Sequence, residues 1–353
     1  MESFLGLHRA TLGYPGLAAK LVRHYGEAEL VFRYFDPREV RLPPAVSDKL
    51  KNPEQLKRHI DADLRWLSGE DREVLKQASP DYPAQLDSLS DAPFLLFVWG
   101  KSHHLEKPQL AIVGSRKPTP YGISVASEMA RQLAAVGFTI TSGLAIGIDA
   151  AAHRGALAAG LATIAVQGCG IDQIYPRSHE RLAQEILEQG CLVSEYPTGT
   201  GAHPRHFPQR NRIVTGLSRG TLVIEAAIKS GSLISARLAM EQGRDVFAVP
   251  GSIHSKQSEG CHLLIRQGAA LVTNVLDLLE EFPDFEIDRN KAPPILSSQE
   301  DAVLSALSGG SCHADRIHEQ TKIPIELLMA LLIDLEIKGL IQSAADGYRV
   351  SNS

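Results

Sequence analysis

From about residue 93 onward, short β-branched apolar runs alternate with helical stretches, and this alternation restricts the fold more than any other feature of the chain. The runs are Phe94 to Val98, Leu110 to Val113, Phe138 to Thr141, Thr163 to Val166, Leu192 to Ser194, Thr221 to Ile224, Val246 to Val249 and Ala270 to Thr273. Between them lie Gly122 to Val136, Ala150 to Ala159, Glu180 to Glu188 and Leu233 to Gln242, each long enough for a helix. Strands apolar on both faces and separated by helices form a parallel sheet covered on both sides, so the expected class is α/β, a doubly wound, Rossmann-like and mostly parallel sheet. Residues 1–70 read differently, as a small helical domain: Leu17, Leu21 and Val22 keep helical spacing between breakers at Pro15, Gly16, Gly26, Pro37 and Pro43. Residues 71–283 then form the core, 284–297 a linker containing Pro293-Pro294, and 298–353 a last domain. Its three helical pieces, followed by Leu340 to Ser343, an Asp346-Gly347 turn and Tyr348 to Val350, are the pattern of a winged helix.

Net charge is −5, which taken alone argues against a nucleic-acid partner. Its distribution argues otherwise. Residues 110–250 hold 13 basic against 10 acidic side chains, whereas 277–353 hold 6 against 14, so an acidic tail masks a basic middle. No stretch approaches the roughly 18 uncharged apolar residues of a membrane helix, and the opening Met1-Glu2-Ser3-Phe4 lacks a secretory pattern; a cytoplasmic protein without membrane contact is expected. Cys169, Cys191, Cys261 and Cys312 are too widely separated for a Cys-x-x-Cys site, and no metal or other cofactor is expected.

In doubly wound sheets the ligand crevice lies beyond the carboxyl ends of the strands. The second run ends in Gly114-Ser115-Arg116, the third in Ser142-Gly143-Leu144-Ala145-Ile146-Gly147, and the sixth leads to Lys229-Ser230-Gly231-Ser232. Such turns let backbone N–H groups and helix N-termini face an anion, although any single one also serves as a plain tight turn. Between Glu195 and Glu225 an acid-free stretch contains Arg205, Arg210, Arg212 and Arg219, which predicts a local positive field. Three donor-rich turns and an arginine loop at one sheet edge indicate a phosphate-binding cleft. No Gly-x4-Gly-Lys-Ser/Thr loop and no Gly-x-Gly-x-x-Gly turn after a strand is present, which disfavours nucleotide hydrolysis and dinucleotide binding. His203-x-x-His206 lacks a third ligand at metal spacing, and Asp149 with His153 fits either an acid–base pair or a helix-terminal carboxylate. Gly13-Tyr14-Pro15-Gly16 fits either a phosphate-facing helix-hairpin-helix turn or a packing turn, with packing preferred.

Ala111 to Gly122 (AIVGSRKPTPYG), Thr141 to His153 (TSGLAIGIDAAAH), Ser194 to Pro197 (SEYP) and Phe207 to Arg212 (FPQRNR) resemble the DNA-processing protein A (DprA, or Smf) family. So do Glu225 to Ala236 (EAAIKSGSLISA), Arg244 to Ser252 (RDVFAVPGS) and Gly260 to Ala269 (GCHLLIRQGA), and the matches run in order over about residues 80–275. The resemblance implies a non-enzymatic, dimeric single-strand DNA binder that receives incoming strands in natural transformation and loads the recombinase RecA. It also implies DNA contacts at Gly114, Ser115 and Arg116, at Ser142 and Gly143, at Arg177, at Arg210, Asn211 and Arg212, and at Lys229, Ser230 and Gly231. Ile146 departs from the pattern, standing where many members carry a basic residue. A cleft of backbone donors and arginines reads phosphates and not bases, so binding should not depend on sequence. Tyr121, Tyr175 and Phe207 are the aromatic candidates for base contact, with packing an equal alternative. The rival reading is a nucleotide-processing hydrolase related to the lysine-decarboxylase-like phosphoribohydrolases, with Glu195 and Glu225 as its available carboxylates. A third is an adaptor working through the winged helix, whose expected reading helix, Ile325 to Lys338, is acidic and a poor DNA surface.

Overall fold

The computed structural model describes residues 1–285, 298–307, 310–337, 340–344 and 347–351. Packing divides the chain into two compact units, Met1–Asp288 and Arg289–Ser353. In the first, strands β1 (Arg72–Lys76), β2 (Leu95–Gly100), β3 (Gln109–Gly114), β4 (Thr139–Ser142), β5 (Thr163–Gln167), β6 (Cys191–Ser194), β7 (Gly220–Ile224), β8 (Asp245–Ala248) and β9 (Ala270–Leu271) form one sheet. Its order is β1-β2-β6-β5-β4-β3-β7-β8-β9, antiparallel at β1–β2 and β2–β6 and parallel elsewhere. This is the expected doubly wound, mostly parallel α/β class. Alternate residues feed opposite faces: Leu96, Val98, Ile164, Val166 and Val193 enter one core, and Leu95, Phe97, Ala165 and Leu192 the other.

The strand β1 escapes the sequence pattern, because an edge strand with only Leu75 buried has no apolar run to announce it. Helices α1 (Glu2–Thr11), α2 (Leu17–Tyr25), α3 (Ala28–Tyr34), α4 (Pro44–Lys51) and α5 (Glu54–Leu67) cover one face of the sheet. Helix α1 is buried on most sides, through Leu5, Gly6, Leu7, His8, Ala10 and Thr11, and its Leu5 and Leu7 share a core with Leu95 and Phe97. A polar clasp adds to this: Arg9 pairs with the buried Asp63 at 2.6 Å, and Asp63 also accepts from the amide (3.0 Å) and hydroxyl (2.8 Å) of Thr198. The Gly13–Gly16 turn packs against the sheet domain, where a Cβ on Gly16 would lie 3.1 Å from the Ser90 carbonyl.

Helices α6 (Ala84–Asp87), α7 (Pro120–Ala135), α8 (Ile148–Ala158), α9 (Glu180–Gln189), α10 (His206–Gly216), α11 (Gly231–Glu241), α12 (Glu259–Arg266) and α13 (Val275–Glu280) complete this unit. The second unit has α14 (Ser298–Leu307), α15 (Ala314–Thr321), α16 (Ile325–Ile337) and the antiparallel pair β10 (Ile341–Ala344) and β11 (Gly347–Val350). Helices followed by a hairpin make it a winged helix. Of the expected linker, all but Asp284 and Phe285 lies outside the described residues, as do Asp346 and Lys338. Among the described residues no helix is long and apolar enough to cross a membrane, and all four cysteines are free and buried.

Candidate nucleic-acid interface

Strand order reverses at β3, with β4 on one side and β7 on the other, so the loops leaving these strands bound the crevice. Gly114 ends β3 in register with Ile224, where a Cβ would fall 1.9 Å from the Ile224 carbonyl oxygen; only glycine lets β7 approach so closely. Beyond it, Ser115 Oγ accepts from the Lys117 amide (3.0 Å) and donates to Gln257 Oε1 (3.3 Å), while Gln257 Nε2 donates to the Lys117 carbonyl (2.9 Å). The loop is thereby pinned, leaving the side chains of Arg116 and Lys117 exposed. The Arg116 guanidinium lies 5.6 Å from the centre of the Phe207 ring.

The turn after β4 is organised differently from the sequence expectation. Ser142 is fully buried, and its hydroxyl donates to the Ile112 carbonyl at 2.6 Å. The amides of Gly143 and Ala145 donate to Asp149 Oδ2 at 3.1 and 3.3 Å, so a carboxylate from the first turn of α8 already takes up the amides of this loop. Donors expected to face a DNA phosphate at Ser142 and Gly143 are spent internally. Arg210 of α10 reaches in beneath this turn, donating Nη1 to the carbonyls of Gly143 and Val166, and a Cβ on Gly143 would lie 2.5 Å from its Nη2. Burial raises the Asp149 carboxyl and lowers the Arg210 guanidinium, each partly offset by the charge of the other. Asp149 and His153 are not an acid–base pair: His153 is buried, bonds Thr163 Oγ1 through Nδ1 at 2.7 Å, and is pushed down to about 3 by desolvation, with His179, Arg210 and Arg154 adding to the shift.

Opposite, Ser230 caps α11 by accepting from the Ser232 amide at 3.3 Å, with Lys229 exposed beside it and open space at Gly231. A groove of about 720 Å³ runs between these loops, lined by Gly114, Ser115, Arg116, Lys117, Arg210, Asn211, Lys229, Ser230 and Gly231 together with Asp149, Tyr175 and Phe207. Gly143, Ile146, Tyr175 and Phe207 border a smaller recess of about 100 Å³ that opens beside it, and the Tyr175 and Phe207 rings lie 5.3 Å apart. Arg177 is exposed, in the single turn Arg177–His179, outside the lining of both. Tyr121 is exposed on α7, away from the groove lining.

Arg212 corrects the sequence expectation most plainly. It is buried away from the groove, donating Nη2 to both oxygens of Glu195 at 2.5 and 2.6 Å, with Asp91 3.6 Å from its Nε. Arg219 is likewise tied to Asp284 at 2.6 Å, so of the four arginines in the acid-free stretch Arg205 alone is exposed without a salt bridge among the described residues. The expected positive field is reduced because Glu195, at the edge of the stretch, takes Arg212, and Asp284, from the far end of the sheet domain's sequence, takes Arg219. Glu225 is also engaged: at φ +53° it accepts from the Thr119 amide (2.8 Å) and hydroxyl, fixing the N-cap of α7. A Cβ on Gly122 would sit 2.4 Å from Glu225 Oε2, which explains the glycine there. His203 and His206 rings lie 5.4 Å apart, and among the described residues no three His, Cys, Asp or Glu side chains gather as a metal site. Sequence reasoning missed Lys117, although it adjoins Arg116 in the same strand-end loop, and Gln257, which no local signal marks.

Residues 73–283 match the family model of DNA recombination-mediator protein A, and 288–347 match that of the DprA winged helix domain. Protein Smf of Escherichia coli is 41% identical over 306 residues, covering 83% of this chain and 81% of its own. The DNA processing protein DprA of Streptococcus pneumoniae is 48% identical over 201 residues, 57% of this chain and 71% of its own. Among solved structures, S. pneumoniae DprA superposes with a TM-score of 0.71 at 36% identity, covering 81% of this chain and 99% of that one. DNA processing protein A of Helicobacter pylori, described for its single-stranded DNA binding mode, gives a TM-score of 0.55 at 33% identity over 61% of this chain and 97% of that one. With a family model spanning the whole sheet domain and a relative alike over four-fifths of both chains, the chain belongs to the DNA recombination-mediator protein A family, whose members are named DprA and Smf.

Proposed function

We propose that the chain binds single-stranded DNA irrespective of sequence, along the groove between the β3, β4 and β7 loops. The observation that supports this best is the set of exposed cations Arg116, Lys117 and Lys229, without salt bridges among the described residues, around the Ser230-capped N-terminus of α11. Gly114, Ser115, Ser230 and Gly231 supply backbone at the same groove, and Asn211 a polar side chain. Arg210 underlies the site and holds its loops, and Arg177 extends the basic surface. Gly143 borders the adjoining recess, and Ser142 is buried behind the groove. In the cell the reading is that of a dimeric, cytoplasmic mediator that protects incoming strands during natural transformation and loads RecA onto them. It is not an enzyme in this reading: Glu195 is held by Arg212, Glu225 by Thr119 and Asp149 by two amides, so each nearby carboxylate already has a structural engagement. That also weighs against the nucleotide-processing hydrolase.

The test is single-strand affinity measured from 50 to 200 mM salt. Arg116→Ala and Lys229→Ala should each flatten the log–log slope by about 0.7 and weaken oligonucleotides of different sequence alike. Unchanged slopes in both variants would mean that the strand runs elsewhere.

A further inference from the structure

Helix α16 of the winged helix is apolar on more than the side it buries. Leu328, Leu332 and Leu335 pack against Val303, Leu307, Ile317, Ile323 and Ile341. On the other side Met329, Ile333 and Ile337 succeed one another every four residues and are 38%, 55% and 79% exposed. Residues four apart lie on one helix face, so the three form a continuous outward stripe. Glu326 stands at its start, and Glu336 flanks its end. The Ser343 amide donates to Glu336 at 2.9 Å, and this bond holds its carboxyl below the usual range, so Glu336 is charged at neutral pH.

A helix with apolar residues on two sides has two faces to cover, and this one has a cover on one side only. Duplex DNA does not fit as the second cover. A groove-reading helix presents arginine, lysine and amide groups to phosphates and base edges, whereas this stripe presents isoleucines between carboxylates. A second copy of the helix fits poorly as well: antiparallel pairing of two stripes sets the Glu326 end of one against the Glu336 end of the other, acid against acid. What remains complementary is a helix with large apolar residues at the same spacing and lysine or arginine along its margins. We propose that the Met329–Ile333–Ile337 face is a docking site for a cationic amphipathic helix of a partner protein. This goes beyond strand binding, uses none of the groove residues, and stands or falls separately from that reading.

The probe is a labelled 18-residue helical peptide of leucine and lysine, titrated by fluorescence anisotropy against the full chain, beside a counterpart in which glutamate replaces each lysine. The lysine peptide should bind at least tenfold tighter than the glutamate peptide and weaken as salt rises. Ile333→Ser combined with Ile337→Ser, both outside the core, should lower its affinity at least tenfold while circular dichroism and single-strand binding stay as in the parent. Glu326→Gln with Glu336→Gln should reduce the salt dependence and keep most of the affinity at high salt. Equal binding of the two peptides, or undiminished binding by the Ile333→Ser/Ile337→Ser chain, overturns the proposal. So does a self-association seen in sedimentation, or duplex binding, that the same double variant abolishes; those results would assign the stripe to a second copy or to DNA.

Discussion

Replacing Arg212 with methionine separates a structural arginine from a DNA-contacting one. The side chain is 5% exposed and bonds both oxygens of Glu195, itself 13% exposed, at 2.5 and 2.6 Å. Removing the guanidinium leaves Glu195 with an uncompensated charge in a nearly dry setting, and breaking one side of such a pair costs about 3 to 5 kcal/mol. With a urea slope of about 3 kcal/mol per molar, that loss lowers the unfolding midpoint by about 1 to 1.7 M. Removing both partners, as Arg212→Met with Glu195→Gln, takes away the stranded charge and should restore most of the loss, because a buried pair replaced by neutral groups of similar size is close to neutral. Urea titrations of the three chains by circular dichroism measure the stability, and salt titrations of an oligonucleotide at low urea measure binding. Arg212→Met should keep the parental salt slope, in contrast to Arg116→Ala. Two results refute the reasoning: a midpoint within about 0.3 M of the parent, or a slope flattened by about 0.7, which would make Arg212 a phosphate contact after all.

Two further outcomes follow from the same loops. His153 titrates at about 3 in the folded chain against 6.5 as its ordinary value, so the stability it contributes is complete above pH 6.5 and is lost as pH falls from there toward 3. The loss is at most about 1.4 kcal/mol per pH unit, and His153→Gln should flatten the fall in urea midpoint between pH 6.5 and 5; an identical fall in both chains refutes the assignment. Gly143→Ala places a methyl 2.5 Å from an Arg210 guanidinium that two carbonyls already hold. Overpacking of that kind costs about 1 to 3 kcal/mol, and a thermal midpoint equal to the parent's would show that Arg210 is free to move.

The parallel strands were legible because they are buried on both faces. A strand such as Thr163–Gln167 is buried at every position and apolar through its centre, Ile164-Ala165-Val166. The edge strand Arg72–Lys76 was not, since one neighbour and a half-wet surface leave it charged. The glycines of the site were legible for a related reason. Gly114 and Gly147 are demanded by backbone atoms 1.9 and 2.3 Å from where a Cβ would stand, whatever partner the groove takes.

The roles of the arginines were not in the sequence. Arg205, Arg210, Arg212 and Arg219 stand in one acid-free stretch and look alike there, yet Arg210 is bound to two carbonyls, Arg212 to Glu195 and Arg219 to Asp284. Likewise, nothing local revealed that Asp149 would take the amides of Gly143 and Ala145, or that the helical N-terminus would clasp Thr198 through Asp63. The sequence alone determined the layers of the fold and the sheet edge where a groove opens, because burial and close backbone approach restrict residue type position by position. Which cations face the groove and which are consumed within the protein was decided only in the tertiary structure, because charge neutralisation acts through space between residues that are far apart in the chain.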